Sequence, residues 1–552
     1  MDRSFRITGL WQCLGNLWRM AGKENMGRVL TRCIIGAVRI AASLCFVWIS
    51  KRLVDIATGN IEADLRMNIL LMVAVMLVQL TNNVLAGYYE GLIQVKIENG
   101  LRSRFFSRVM HSRWNGRDAL HSGDTVNRLE TDIHTITELV ATSLPDIIIT
   151  VCQLICASAF LFIMKPGLLW VLLVIMVVAI ISSRLCYFRI RRLSAEIRVK
   201  DAEIQSYMQE NLLHRVLALT LIGVGKVTSR MEGLQGELYA TSVKRLNFNS
   251  VARVFMSLGF SAGYLAAFLW GVLGIHSGAV TYGMMTAFLQ LVGQVQGPIS
   301  QLARYIPSII HSLASVDRLA ELEQLETEPQ EKEVMMEGTP GVRVSDVTFG
   351  YEPGHHVLEG FSCTFEPGKM TAVMGPTGVG KSTLIRLILG LMTPESGTVE
   401  IFGPSGSVPA GSGTRCNFMY VPQGNSLMSG SLRDNFRLAN PEATEEEMRG
   451  ALRQACAEFV LDLPNGLDTV CSELGAGLSE GQAQRIAIAR ALLHKGQILI
   501  LDESTSALDS ATEERILSDI RRNIHGSRTI IFITHRQTVA DAADAVVTLT
   551  QR

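Results

Sequence analysis

Long apolar runs divide the chain into two regions of different character. Up to about residue 313, the runs approach the roughly 20 residues that a helix needs to cross a hydrocarbon core. Six segments have this character: about 31–50, 67–87, 139–164, 167–186, 252–274 and 284–306. Beyond residue 313, short apolar runs alternate with polar turns. We therefore predict a multi-domain protein in which an all-α six-helix transmembrane domain is followed by an α/β domain.

Two polar segments between predicted spans are too long and too regular to be plain loops. The stretches "VKIENGLRSRFFSRVMHSRW" and "RLSAEIRVKDAEIQSYMQENLL" contain no proline and space their apolar residues as a helix does. They predict membrane helices that continue into the cytosol, with turns at their tips near 121–133 and 210–221. Residues 10–20, which include Trp11 and Trp18, predict an amphipathic interfacial helix, with a disordered tail as the alternative.

The distribution of basic residues predicts the orientation of the chain. Lys and Arg are concentrated in the two long segments, whereas the predicted outer loops carry Lys51, Arg52, Arg66 and Lys165. By the positive-inside rule, the N-terminus, both long segments and everything after the sixth span are cytoplasmic. The chain is thus expected to be a multi-pass protein of the cell membrane, in contact with the lipid bilayer.

Four parts follow from these patterns. Residues 1–29 form the predicted interfacial helix, and residues 30–320 form the membrane domain with its cytoplasmic helix extensions. Residues 321–338 read as a linker, because they carry the charged run "ELEQLETEPQEKE". The α/β domain occupies residues 339–552.

Polar side chains inside the predicted spans are candidates to line a transport path, since such groups are costly in a membrane. They are Arg39, Asn82, Asn83, Asp146, Gln153, Gln290, Gln294 and Gln296. Hydrogen bonding between helices is the alternative at each position. For Arg39 and Asp146, a position near a span end, with the charge reaching the interface, is the simpler interpretation.

Charge and cysteine content exclude two classes of function. Lys plus Arg and Asp plus Glu both number 51, so the net charge is zero and a nucleic-acid-binding protein is not expected. The 10 cysteines form no CxxC pair or Cys/His cluster, and we interpret them as apolar filler rather than zinc ligands.

The decisive motif is a glycine-rich loop between a predicted strand and a predicted helix. Residues 370–374 are apolar, and the sequence "GPTGVGKST" follows them. This pattern in this context predicts a site for nucleotide phosphates, with backbone N–H groups and a helix N-terminus closing around them. Lys381 would reach the outer phosphates and Ser382 would hold Mg²⁺. The predicted binding residues here are Gly375, Pro376, Thr377, Gly378, Val379, Gly380, Lys381, Ser382 and Thr383.

Two further apolar strands end in residues that suit phosphoryl transfer. "QILILDESTSALD" places Asp502 and Glu503 at the end of a strand, where the first suits Mg²⁺ and the second can polarise an attacking water. "TIIFITH" ends in His535, which could bond the γ-phosphate or the water. A strand-end histidine alone is more often structural, but beside these motifs the functional reading is favoured.

From about Val342 onward, the motifs and their order resemble the nucleotide-binding domain of ATP-binding cassette (ABC) transporters. The resemblance implies that Tyr351 stacks on adenine, that Gln423 is the Q-loop glutamine and that residues 478–482 are the signature loop. It implies a catalytic set of Glu503, His535, Gln423 and Lys381, and Mg²⁺ ligands Ser382, Gln423 and Asp502. Further implied nucleotide-binding residues are Ser479, Glu480, Gly481, Gln482 and, in the D-loop, Asp509. The implied cofactors are ATP and Mg²⁺.

The first region is similar to the six-helix exporter-type domain that precedes this cassette in half-transporters. The stretches "SGDTVNRLETDI" and "TYGMMTAFLQLVGQVQGPISQL" carry that similarity. The similarity implies a dimer, most simply with a second copy of the chain, that closes head to tail around two ATP molecules. The implied activity is ATP-driven export of an amphipathic compound, lipid or peptide by alternating access. A heterodimer with one weakened ATP site, an importer of the same fold, and an ATP-gated channel or regulatory subunit are the alternatives.

Two departures from the family pattern matter. Residues 402–418 are rich in Gly, Ser and Pro, which predicts a looser loop before the Q-loop strand. The signature loop carries Glu480, a carboxylate that would cost several kcal/mol if it pointed at triphosphate in a low dielectric. Because the other catalytic positions are intact, we predict that Glu480 points away from phosphate and that the site hydrolyses ATP.

Overall fold

The computed structural model describes residues 15, 19, 22–114, 122–352, 354–471, 477–523 and 526–550 of the 552. Contacts group the chain into two units. The first comprises Met1–Phe106 and Thr125–Glu323, and the second comprises Ser107–Asp124 and Gln324–Arg552. The predicted interfacial helix at residues 10–20 lies outside the described residues, apart from Gly15 and Arg19.

The first unit consists of long helices. They are α1 (Lys23–Ala57), α2 (Leu65–Met110), α3, α4 (Pro166–Leu213), the short α5 (Arg215–Leu217), α6 (Val224–His276) and α7 (Tyr282–Glu323). Helix α3 comprises Ser122–Asn127, Ile133–Glu138 and Leu144–Met164, joined by π-helical turns at Arg128–Asp132 and Leu139–Ser143. Each predicted span falls inside one of these helices.

Four helical stretches of the described residues are long and apolar enough to cross a membrane. They are Asn25–Ala57, Leu65–Met110, Asp124–Met164 and Val224–His276. Pro166–Val178 is a shorter apolar stretch. Helix α7 is not among them, because its glutamines lower the hydropathy of the predicted sixth span.

The amide side chains of the predicted spans bind neighbouring helices. Gln290 Nε2 donates to Ser50 Oγ at 3.1 Å and Gln294 Nε2 to Ser43 Oγ at 2.8 Å, which ties α7 to α1. Gln296 Nε2 donates to the carbonyl of Phe260, and Asn82 Nδ2 to that of Ile35. Each of these four amides therefore makes at least one helix–helix hydrogen bond, the alternative that the sequence left open.

Asp146 forms an ion pair that the sequence did not predict. Arg32 Nη2 lies 2.8 Å from Asp146 Oδ1 and 2.9 Å from Glu90 Oε2, and the Tyr305 hydroxyl donates to Asp146 Oδ2 at 3.2 Å. The Arg32 side chain is almost completely buried. A buried guanidinium requires anionic partners, and Asp146 and Glu90 supply them.

The first predicted tip is misplaced. Residues 122–133 are helical. The preceding helix, α2, ends earlier, at Met110. Apolar positions continue at helical spacing through "TVNRLETDI", which keeps this stretch helical. In the region of the second predicted tip, α4 ends at Leu213 and α6 begins at Val224 after Gly223, whose φ is 81°.

The second unit is built around two sheets. A parallel sheet has the order β11-β3-β10-β9-β6, and an antiparallel sheet has the order β2-β1-β4-β5. The strands are β1 (Gly341–Glu352), β2 (His355–Phe365), β3 (Met370–Met374), β4 (Ser396–Gly403), β5 (Gly406–Pro409), β6 (Phe418–Val421), β7 (Gly430–Ser431), β8 (Val470–Cys471), β9 (Ile498–Asp502), β10 (Thr529–Ile533) and β11 (Ala545–Thr548). The helices are α8 (Lys381–Ile388), α9 (Leu432–Ala439), α10 (Glu445–Gln454), α11 (Glu480–Leu493), α12 (Ser510–Asn523) and α13 (Gln537–Ala542). β9 and β10 are buried along their full lengths, as expected for parallel strands covered on both faces.

The prediction of a looser loop at residues 402–418 is wrong. Strand β5 forms a hairpin with β4, and Ser412–Asn417 forms a 3-10 helix. Asn417 is fully buried, and its Nδ2 donates to the Val334 carbonyl at 2.7 Å. Glycine at position 406, with φ 118°, makes the tight hairpin turn, so the composition marks a turn rather than disorder.

Residues that follow α2 pack with the second unit. Ser112 forms an antiparallel bridge with Thr327, the Arg113 N–H donates to the Glu326 carbonyl at 2.7 Å, and the Glu328 N–H donates to the His111 carbonyl at 2.8 Å. The first part of the predicted linker, at residues 326–328, is therefore paired with residues 111–113.

Candidate functional site

The glycine-rich loop leaves β3 and enters α8 through three glycines in backbone conformations that other residues rarely adopt. Their φ values are 153° at Gly375, 87° at Gly378 and 106° at Gly380. A Cβ at Gly375 would lie 2.6 Å from the Leu549 carbonyl oxygen, and one at Gly380 would lie 2.8 Å from Val357 Cγ1. Pro376, Thr377 and Gly378 are exposed, whereas Val379 is buried and anchors the loop. The loop is thus fixed at its ends and open at its middle, as a phosphate cradle requires.

Lys381 is held at the mouth of this loop. Its Nζ donates to the carbonyls of Gly375 at 2.7 Å and Pro376 at 3.1 Å, and it lies 3.9 Å from Glu503 Oε1. Only 7% of the side chain is exposed, so its charge acts in a medium that screens it less than water does. Ser382, the next residue, is exposed in the first turn of α8.

Glu503 is the centre of the predicted catalytic set. Gln423 Nε2 donates to Glu503 Oε2 at 2.8 Å, and His535 Nδ1 lies 4.0 Å from Glu503 Oε1. The φ of Glu503 is 45°, a costly conformation for a non-glycine residue, and its N–H is bound to the Ile533 carbonyl of β10. The structure therefore brings Lys381, Gln423, Glu503 and His535 together.

Asp502 ends β9 next to Glu503. Burial raises the pKa of its carboxyl to about 6, and the charge of Glu503 adds to the rise. The Tyr420 hydroxyl donates to Asp502 Oδ2 at 3.4 Å, and burial together with this carboxylate raises the pKa of Tyr420. The positive charges of Arg386 and Lys381 lower the pKa of Asp502 and offset part of the effect of burial.

The chemistry of the predicted ligand atoms suits Mg²⁺. This cation prefers oxygen ligands and is commonly bound by one or two carboxylates together with substrate phosphates. Asp502 offers a carboxylate, Ser382 a hydroxyl and Gln423 an amide oxygen. Among the described residues, no group of three or more His, Cys, Asp and Glu side chains could hold a metal ion, so a metal here would depend on these mixed ligands and on the nucleotide.

Tyr351 lies near the end of β1, beside the phosphate-loop helix. Its hydroxyl is 3.1 Å from Thr383 Oγ1 and accepts a hydrogen bond from Arg386 Nη1 at 3.0 Å. Its ring packs edge to face against the ring of Phe349, with 5.3 Å between the ring centroids. The guanidinium of Arg386 in turn lies 4.5 Å from the centre of the Trp114 ring.

The predicted signature loop ends in a helix cap. Ser479 is the N-cap of α11 and forms a capping box with Gln482, with Ser479 N–H to Gln482 Oε1 at 2.9 Å and Gln482 N–H to Ser479 Oγ at 3.2 Å. A Cβ at Gly481 would lie 2.9 Å from the Ala507 carbonyl, so glycine allows this loop to approach the D-loop. Glu480 is exposed at the first helical position.

A cavity of about 360 Å³ lies over this loop. It is lined by Ser479, Glu480, Gly481, Arg485, Ala507, Leu508 and Asp509. In the part of the chain that the structure describes, these lining residues come from the signature loop, α11 and the D-loop, and none comes from the phosphate loop. One chain thus presents two separate groups of predicted site residues. Which way Glu480 points relative to a bound phosphate remains a prediction.

Three residues beside the predicted set were missed. In the sequence pattern, Tyr420 is indistinguishable from any other residue of β6, and Arg386 is indistinguishable from any other polar residue of a helix. Trp114 lies at the end of a segment that sequence reasoning assigned to a membrane-domain extension. An aromatic residue at the end of a basic cytoplasmic stretch was the one available signal, because such residues are enriched at interfaces.

Comparisons with known proteins agree with the two-part organisation. The sequence profile described as "ABC transporter transmembrane region" matches residues 30–299, and that described as "ABC transporter" matches residues 358–506. An ABC transporter ATP-binding protein of Sinorhizobium fredii is 30% identical over 538 residues, which is 95% of this chain and 89% of the relative. The ATP-dependent lipid A-core flippase of Vibrio cholerae is 27% identical over 546 residues, 97% of this chain and 93% of the relative.

A solved structure has the same fold. It is that of a bacterial Atm1-family ABC exporter with ATP bound, which superposes with a TM-score of 0.78 at 23% sequence identity and covers 95% of this chain and 93% of its own. The expected fold class is therefore confirmed. The chain belongs to the ABC transporter family and is an ATPase coupled to transmembrane transport, with an exporter-type helical domain and one nucleotide-binding domain in a single polypeptide.

Proposed function

We propose that this protein is a Mg²⁺-dependent ATP-driven exporter of an amphipathic, lipid-like compound and that it works as a homodimer by alternating access. The observation that carries the ATPase part is the position of Glu503, which Gln423 holds at 2.8 Å and which lies 3.9 Å from Lys381. This grouping supplies a base, a residue that orients it and a cation within one small site.

Glu503 acts as the base in this proposal. One carboxylate oxygen accepts the Gln423 hydrogen bond, and the other faces Lys381 and His535. The carboxylate orients and deprotonates the water that attacks the γ-phosphorus, while Lys381 neutralises charge on the outer phosphate oxygens. His535, whose side chain is 60% exposed, forms a hydrogen bond with the γ-phosphate. The bond couples the presence of the γ-phosphate to the end of β10.

Mg²⁺, when bound by Ser382, Gln423 and Asp502 with the phosphates, supplies further neutralisation of the charge that develops during transfer. The backbone N–H groups of residues 375–383 bind the phosphate chain, and the adenine stacks on Tyr351. These assignments rest on the open middle of the loop and on the mixed oxygen ligands at its edge.

The dimer follows from the separation of the two groups of site residues. Ser479, Gly481 and Asp509 line a cavity of their own, to which the phosphate loop does not contribute in the described residues. A second copy of the chain, placed head to tail, would bring this cavity over the first copy's phosphate loop. A homodimer is the simplest assembly that makes both sites equivalent.

The proposed cargo is amphipathic. Among the relatives, one is a lipid A-core flippase. We place the nucleotide-binding domain in the cytosol, because basic residues are concentrated in the two long segments between spans and the domain follows the sixth span, which puts it on the same side of the membrane by the positive-inside rule.

Substitution of Glu503 tests the ATPase assignment. In the full chain reconstituted in lipid, Glu503→Gln should lower basal ATPase by about 100-fold or more, because the amide cannot accept the water's proton. The measurement is phosphate release at saturating Mg²⁺-ATP. Glu446→Gln, at an exposed position in the first turn of α10, is the control that should leave turnover unchanged. Turnover that persists in Glu503→Gln would remove Glu503 from the role of base.

A further inference from the structure

The side chain of Arg386 joins three elements beside the predicted base-binding site. It projects from α8, the helix that begins with Lys381, and its Nη1 donates to the Tyr351 hydroxyl at 3.0 Å. Its guanidinium carbon lies 4.5 Å from the centre of the Trp114 ring. We propose that Arg386 is a positioning residue that sets nucleotide-base affinity through Tyr351, and that Trp114 holds Arg386 in place for this role.

Tyr351 is fixed by contacts at both ends of its ring. The hydroxyl is bonded to Arg386 and lies 3.1 Å from Thr383 Oγ1, and the ring edge contacts Phe349 at 5.3 Å. A tyrosine with a solvated hydroxyl can rotate about its side-chain bonds, and such rotation has to be lost when a base stacks on it. Because Arg386 and Thr383 already fix the ring plane, stacking costs less side-chain entropy.

Arg386 is suited to this role by its shape. Its planar guanidinium presents N–H donors at its edge and a flat face to an aromatic ring, so one side chain can donate to Tyr351 and stack on Trp114 at the same time. A lysine has a point charge and no such plane. Arginine is therefore the side chain that makes both contacts in full.

Trp114 is held by its backbone neighbours. The residues just before it pair with the linker, through the Ser112–Thr327 bridge and the 2.7 Å hydrogen bond from Arg113 N–H to the Glu326 carbonyl. The Arg113 side chain also bonds Thr393 Oγ1. The Trp114 ring is half-buried and packs against the core of the second unit. The position of the indole is therefore fixed independently of the base site.

This proposal rests on the proposed role of Tyr351 as the adenine stack. It adds that the base site extends through Arg386 to a residue that follows α2 in the chain. The side chains of Arg386 and Trp114 bond none of the loop residues 375–382 in the described contacts, so their direct contacts are confined to the side of the site where Tyr351 lies, and the charge of Arg386 also lowers the pKa of Asp502. That confinement separates the proposal from a general weakening of the phosphate loop.

The test compares ATP with inorganic tripolyphosphate, which has the phosphates but no base. In the full-length reconstituted protein, Arg386→Met should raise the Kd for ATP about fivefold to tenfold and leave the Kd for tripolyphosphate within about twofold. Arg386→Lys should recover part of the loss, because it keeps a cation over Trp114. Trp114→Phe should stay near wild type and Trp114→Leu should resemble Arg386→Met. Arg437→Met, an exposed arginine of α9, is the matched control and should change neither Kd.

A double-mutant cycle tests whether Arg386 acts through Tyr351. Tyr351→Phe removes the hydroxyl alone and should raise the ATP Kd as Arg386→Met does, and the two changes together should cost no more than either one. Equal loss of ATP and tripolyphosphate binding in Arg386→Met would assign it a merely structural role in α8 and overturn the proposal. Full additivity would overturn it as well.

Tyr351→Ala separates failure of this inference from failure of the proposed function. If Tyr351→Ala weakens ATP but Arg386→Met does not, the adenine stack stands and the role of Arg386 is rejected. If Tyr351→Ala leaves ATP binding unchanged, the proposed base site itself is wrong, and the inference falls with it.

Discussion

Glu480 has a structural reason for its position at the start of α11. It is the first helical residue after the N-cap Ser479, and the capping box places it where the unbonded N–H groups of the first turn point. A carboxylate in the first turn is stabilised by the helix dipole. This favourable interaction does not require Glu480 to contact nucleotide.

Replacing Glu480 should therefore change ATPase activity only slightly. We expect Glu480→Gln and Glu480→Gly to remain within about threefold of wild type in phosphate release, since each tenfold change corresponds to about 1.4 kcal/mol at the transition state. Glu480→Gln removes only the charge and is the control for the backbone freedom that glycine adds. A rise of about 100-fold in both variants would show that the carboxylate faces phosphate and inhibits the site.

Single residues were predictable where local sequence dictates their surroundings. Lys381 and Glu503 each follow a buried strand, and the two strands end at the same edge of a parallel sheet, so their proximity follows from the pattern. Tyr420 and Arg386 were not predictable, because their partners lie far away in the chain and neither belongs to a motif. The ion pair between Arg32 and Asp146 was missed for the same reason.

At the scale of elements, the linker is tied to the phosphate-loop helix by one arginine. Arg415 forms a forked ion pair with Glu328 and donates to the carbonyls of Leu389 at 3.0 Å and Gly390 at 2.9 Å, just after the end of α8. Bidentate pairs of this kind are stronger than ordinary surface pairs. One side chain thus satisfies the helix terminus and also anchors the linker.

Loss of Arg415 should loosen the linker. In the full chain, Arg415→Gln should raise the amide hydrogen-exchange rate of residues 324–338 by about tenfold, while Glu328→Gln should raise it only about threefold, because the new amide oxygen still accepts a hydrogen bond from Arg415. Mass spectrometry of peptides from this stretch gives the rates. Arg449→Gln, which breaks an exposed pair with Glu445 on α10, is the control. Equal effects of Arg415→Gln and Glu328→Gln would mean that an amide at position 328 keeps no interaction with Arg415.

Composition misled at residues 402–418 because it cannot distinguish a disordered stretch from a series of tight turns. Gly, Ser and Pro occur in both. What orders this segment is the burial of Asn417 and its bond to the Val334 carbonyl, a contact with the linker that no local pattern reveals. Long helices were easier, since their apolar periodicity extends over many turns.

At the scale of the whole molecule, the two groups of site residues make the assembly testable. Two tagged forms of the chain can be co-expressed and mixed dimers isolated by both tags. If each ATP lies between one copy's Lys381 and the other copy's Ser479, a dimer of Lys381→Ala with Ser479→Ala keeps one intact site. A dimer of one wild-type chain and one chain that carries both Lys381→Ala and Ser479→Ala keeps no intact site.

We expect the first dimer to retain roughly half of wild-type ATPase and the second to lose about 100-fold, if the two sites turn over independently. The reverse result would place both groups in one chain. If neither mixed dimers nor dimers of identical chains could be isolated, the homodimer proposal would be contradicted directly. Dimers of two wild-type chains carrying the same tags are the control for any effect of the tags.

The two-part fold was predictable from the sequence, since one region has spans and the other has motif-bearing strands. The grouping of residues 107–124 with the second unit was not. A helix that continues beyond the membrane has the same pattern whether its end packs with its own unit or with another. Only the contacts of residues such as Trp114 reveal which.

The place of β11 in the sheet has a practical consequence for handling this protein. β11 pairs with β3, the Leu549 N–H donates to the Met374 carbonyl at 2.8 Å, and the Leu549 carbonyl lies against Gly375. A fluorescent label attached at residue 549 would therefore lie next to the phosphate loop. Labels for nucleotide-binding measurements are therefore better placed away from this edge of the sheet.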